Sequence, residues 1–201
     1  MRTTTNYIKS PFLALLLSSL IFLLSGLLSA YTYCRYYHYG GVFMPGFIYT
    51  SATILVFVIY RVPLRLKDGL VYFSLMNLIY LSIWLLTMVS SFFALFGGII
   101  TAGLGAHLTF FRTEIIVRNF QFSRLAVFIA GAISFGIVDI ISLSSEITLT
   151  DYLFNHHWSG DILFADIFIF WQLITGIMLA IHLRKSQISE NMAIESDAVE
   201  H

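Results

Sequence analysis

Residues 125–183 read LAVFIAGAISFGIVDIISLSSEITLTDYLFNHHWSGDILFADIFIFWQLITGIMLAIHL, two apolar runs joined by a short segment rich in acids and histidines. As helices, at about 1.5 Å per residue, runs of about 20 residues match a hydrocarbon core about 30 Å thick. Asp139 falls late in the first run and Asp166 early in the second. An antiparallel hairpin of the two therefore sets both carboxylates at similar depth in a bilayer.

The rest of the chain repeats this theme. Of its 201 residues 58% are hydrophobic and only 11% charged, against about a quarter charged in an ordinary soluble domain. The expected fold is all-α, a polytopic transmembrane bundle over residues 1–185, with spans at about 11–33, 42–60, 69–89, 92–111, 125–143 and 162–183. The first run ends in small residues, Ser29-Ala30, as a signal peptide does, but it exceeds the usual signal core and is read as an uncleaved first helix. Residues 69–111 carry no Asp, Glu, Lys or Arg, yet one helix of that length would run to about 64 Å, so the chain must turn back, and Ser90-Ser91 is the expected turn. Residues 186–201 are polar and acidic and are expected to form a disordered cytoplasmic tail.

Charge sets the orientation. The N-terminal segment holds Arg2 and Lys9, the second connection Arg61, Arg65 and Lys67, the fourth Arg112, Arg118 and Arg124, and the C-terminal segment Arg184 and Lys185. Only Arg35 falls on the other side. Basic residues stay cytoplasmic during insertion, so six spans with both termini inside are expected, in a plasma membrane of bacterial inner-membrane type. The tyrosines at 31, 33, 36, 37 and 39 then form an aromatic belt at the outer headgroups.

Small residues mark how the helices pack. Ala94, Gly98, Ala102 and Ala106 recur every four residues, with Gly97, Thr101 and Gly105 on the adjoining row. Such rows let backbones approach closely where packing must replace the hydrophobic effect. They predict that the fourth helix is a central packing spine, or alternatively the lining of a ligand groove. Asn77 is expected to bond a neighbouring helix.

Ionisable groups inside a span are costly and suggest function. Asp139 shares a helical face with Ala132, Gly136 and Ser142, a small polar stripe expected to meet other helices, and is read as ion- or proton-responsive. Asp166 has apolar helical neighbours and is expected to snorkel outward, with ion response as the sharper role. Asp161, Gln172, Thr175 and His182 follow a more polar stripe of the same run. In the outer loop His156, His157 and Asp161 are acceptable zinc-ligand types, but no HxxxH or HExxH spacing accompanies them. His107 and His182 raise the thought of a haem without a second pair to support it. No cofactor is expected. Cys34 is the only cysteine, which excludes an internal disulfide framework.

No phosphate-binding glycine loop, Gly-x-Ser-x-Gly or Cys-x-x-Cys occurs, and the basic residues are spread beside helices, so nucleic acid is not an expected partner. The expected partners are the lipid bilayer and either a second copy or a membrane complex. The leading functional expectation is transport of permease type, with Asp139 as its responsive group. The alternatives are a membrane enzyme acting on a lipid at the outer leaflet through the His156/His157 loop, and a non-catalytic subunit docking through its small-residue faces.

Overall fold

A computed structural model describes residues 11–36, 41–90, 95–117, 120–144 and 163–199. These form six helices and, among the described residues, no strand: α1 Pro11–Tyr36, α2 Met44–Ile59 led in by a 3-10 turn at Gly41–Phe43, α3 Leu66–Ser90, α4 Leu95–Ile116, α5 Arg124–Ser144 and α6 Leu163–Val199. Each helix packs on its neighbours in sequence, and α6 closes the ring on α1.

Local chemistry sets the helix ends. Pro45 occupies the first turn of α2, where its missing N–H is not needed. The other end is a Schellman closure: Val62 N–H donates to Phe57 O at 2.9 Å and Arg61 N–H to Val58 O at 3.1 Å. That closure needs a left-handed residue, and Arg61 takes it with φ 50°. Pro63 follows and forbids continuation. Ser123 begins α5, its Oγ accepting from Ala126 N–H at 3.4 Å.

The bundle has an apolar core with polar side chains set into it, and its outside is apolar as well. Ser18, Ser25, Ser29, Thr50, Thr53, Thr113 and Gln172 are buried. Leu16, Leu20, Leu24 and Leu28 run exposed down α1, as do Leu70, Leu78 and Leu85 on α3. Such a continuous apolar surface suits lipid and not water. Four helical stretches are long and apolar enough to cross a membrane: Pro11–Tyr36, Gly41–Ile59, Leu66–Val89 and Ala165–Ile188. Glycines, His107, Arg112 and Glu114 dilute the hydropathy of α4.

The helices depart from the sequence expectation at three places. Arg112, expected in the fourth connection, lies with Glu114 in the last turns of α4, because nothing before Ile116 breaks a helix. Residues 186–199, expected as a disordered tail, continue α6. An established helix extends without a new nucleation cost, and no Gly or Pro interrupts that stretch. Its root is tied to the end of α2, since Gln187 Nε2 donates to Tyr60 O. Asn77, expected to bond another helix, donates to Phe73 O one turn back on α3 at 2.8 Å.

Candidate functional site

The seam of α1 with α6 is the first element of the site. Gly26 meets the backbone of Ile169, where a Cβ would lie 2.7 Å from Ile169 Cα, and Gly176 seats the ring of Phe22. This approach lets a buried polar triad form between the helices. Ser25 Oγ donates to Gln172 Oε1 at 2.5 Å, and Gln172 Nε2 donates to Ser29 Oγ at 2.9 Å. One turn further on, Thr175 lies 3.5 Å from Tyr49 of α2. The polar stripe Gln172–Thr175 thus faces α1 and α2.

The two small-residue rows of α4 dock on two different neighbours. Gly98 receives the ring of Phe135, and Gly131 of α5 lies against Ala102 O and Ala106, where a Cβ would come within 2.5 and 2.7 Å. On the adjoining row Thr87 Oγ1 of α3 donates to Thr101 Oγ1 at 3.0 Å, and Gly105 faces Ile83. Both rows are occupied within the chain, so they do not by themselves point to an outside partner.

Between α2, α3, α4 and α6, with Phe135 of α5 at its edge, lies a partly open cavity of about 90 Å³. Tyr49, Tyr80, Trp84, Phe168 and Trp171 supply aromatic walls, and the small residues of α4 leave the space. Among the described residues that line it, none carries a charge. Most polar groups on the wall are already engaged. Trp171 donates its indole N–H to Ala102 O at 3.0 Å, and Thr101 and Thr109 each donate to a carbonyl one turn back at 2.9 Å. Two are not. The Tyr80 hydroxyl and the Trp84 indole nitrogen are buried and have no hydrogen-bond partner among the described residues.

The other expected site residues fall as follows. Asp166 is 3% exposed, in the first turn of α6, where a carboxylate suits the helix dipole. It does not snorkel outward. Its neighbours Ala165 and Ile169 pack with Ala30 and Tyr33 of α1, while Ile167 and Phe168 face the cavity. Asp139 is carried by α5, but its side chain lies outside the described residues, as do Ala94, His156, His157 and Asp161. On the face assigned to Asp139, Gly136 has nothing among the described residues within 4 Å of a would-be Cβ. Among the described residues no three His, Cys, Asp or Glu gather in a way that could hold a metal.

His107 and His182 belong to one aromatic cluster. His182 lies 5.6 Å from Phe110 by ring centroid, Phe110 5.6 Å from Phe122, and Phe122 5.9 Å from His107. His182 Nδ1 is 2.8 Å from Met178 O. Phenylalanine rings fill the ground between the two imidazoles, so the residues present do not fit a haem held between them.

The stripe of Gln172 and Thr175 was visible as a helical repeat in the sequence. Tyr80 and Trp84 were not, because aromatic residues at helical spacing look like any other apolar pair. No protein-family model, no curated protein and no solved structure matches the chain.

Proposed function

We propose that the chain crosses a plasma membrane of bacterial inner-membrane type six times with both termini inside, and acts there as a small permease-like transport protein. The cavity ringed by α2, α3, α4 and α6 is its solute site, and that cavity is the observation that carries the reading. A half-enclosed space beside small-residue helices suits a molecule that enters and leaves. Asp166, buried next to cavity-lining residues, and Asp139 on α5 are its ion- or proton-responsive groups.

The placement of the described charges supports the topology. Arg61, Arg65 and Lys67 follow α2, Arg112 closes α4, Arg124 opens α5, and Arg184 and Lys185 lie late on α6. Contacts of Gln187 with Tyr60, of His182 with Phe110 and of Tyr72 with Thr113 place these helix ends together at one end of the bundle. Arg35 closes α1 at the opposite end.

Proteoliposomes loaded with a pH-sensitive dye test the reading. Under an imposed potential the protein should carry protons faster than empty vesicles do, and Asp166→Asn should lower that flux while protein level and melting temperature hold. Flux no greater than in empty vesicles, or loss of flux only in step with loss of folded protein, counts against it.

A further inference from the structure

We infer that the cavity binds the head of a neutral, lipid-soluble molecule, a ring bearing a carbonyl oxygen, which Tyr80 and Trp84 grip by hydrogen bonds. This rests on the reading of the cavity as the solute site and adds the chemistry of the solute. An indole N–H can only donate, and a tyrosine hydroxyl donates as readily as it accepts. Leaving both buried and unmet is costly in an apolar surround, whereas one acceptor oxygen satisfies either. The two residues are four apart on α3, hence on one face and one turn from each other, and both line the cavity. Trp171 on α6 has its indole N–H committed to Ala102 O, so among the described lining residues the spare donors lie on α3.

The described wall favours this class over others. No charged residue among those described there balances an ion, an amino acid or a phosphate. With its threonines bonded to their own helices or to each other, nothing matches the many hydroxyls of a sugar. Aromatic faces remain, Tyr49 and Trp171 among them with centroids 5.1 Å apart, and these favour a flat unsaturated ring. At about 90 Å³ the space is smaller than the roughly 150 Å³ that holds a benzene molecule in an engineered cavity, so it takes a single ring at most, and its open side leaves room for the rest of the molecule.

The test uses the whole chain in lipid nanodiscs, labelled with 5-fluorotryptophan, and follows the fluorine resonances of Trp84 and Trp171. Trp84→Phe and Trp171→Phe assign them. The probes are acetophenone and α-methylstyrene, flat molecules of one shape that exchange a carbonyl oxygen for a methylene. Acetophenone should shift both resonances saturably. Its affinity should fall about fivefold in Tyr80→Phe, the size expected for one lost hydrogen bond. Trp84→Phe, read at Trp171, should give a similar loss, and α-methylstyrene should bind the parent protein more weakly by at least that factor. If either variant melts lower than the parent, the other carries the comparison. Equal affinity for the two probes overturns the carbonyl inference and leaves the cavity standing as the solute site. No saturable shift with either probe overturns both.

Discussion

Gln172 on α6 donates its side-chain amide to Ser29 Oγ on α1 at 2.9 Å, while its carbonyl oxygen accepts from Ser25 one turn away. One side chain thereby ties the last helix to the first. It also closes the ring of six, because α1 and α6 are the two helices that sequence order leaves unjoined.

Gln172→Leu should loosen that closure. It keeps the volume but removes both bonds and leaves two buried serine hydroxyls to find other partners. Interhelical bonds in lipid average about 0.6 kcal/mol and reach about 1.7, so a loss of about 1–2 kcal/mol is expected. Unfolding by titration with dodecyl sulfate in mixed micelles measures it, and an unchanged midpoint would show that the triad contributes nothing net.

Two glycines five residues apart on α5 should respond to alanine with opposite sign. At Gly131 a Cβ would lie 2.5 Å from Ala102 O and 2.7 Å from Ala106 Cβ, so the helices must part, at a cost of about 1–3 kcal/mol. At Gly136 a Cβ meets nothing among the described residues within 4 Å. There Gly136→Ala should stabilise by about 0.5–1 kcal/mol through backbone entropy alone. Melting temperatures of the two variants, measured side by side, decide the matter, and a shared sign would contradict the close approach of α4 to α5.

Arg61 holds φ at 50°, in the left-handed region that closes α2. Arg61→Val puts a branched Cβ in that conformation and should cost about 1–2 kcal/mol, whereas Arg61→Gly should not. Thermal unfolding in detergent compares them. Equal losses would mean that the arginine side chain, not the turn, matters at this position.

The topology makes its own demand. A periplasm-active phosphatase fused after Glu146 should be active, and the same enzyme fused after Gln187 should not be, because the apolar part of α6, up to Leu183, lies between them. Activity at both sites, or at neither, would remove that crossing and with it the six-span scheme.

How much of this was legible from residue order varies along the chain. The turn near Ser90 followed from length alone, since the uncharged stretch from Gly69 to Phe111 is twice too long for one crossing, and α3 ends at Ser90. The row Gly98, Ala102, Ala106 was visible as a repeat, but which neighbour it met was not. Asn77 and Asp166 went the other way. A polar side chain on an apolar helix can bond its own helix, another helix or the interface, and periodicity does not distinguish these ends.

Residue order by itself settled that the chain is helical and suited to lipid, because helix length and hydropathy are properties of local runs. The tertiary structure alone decided which polar groups remain unmet. Trp84 and Trp171 are the same residue type on the same cavity, yet one indole meets the carbonyl of Ala102 and the other meets no described acceptor. A hydrogen bond depends on where two distant segments are brought to lie within about 3 Å, and composition and spacing carry no record of that distance.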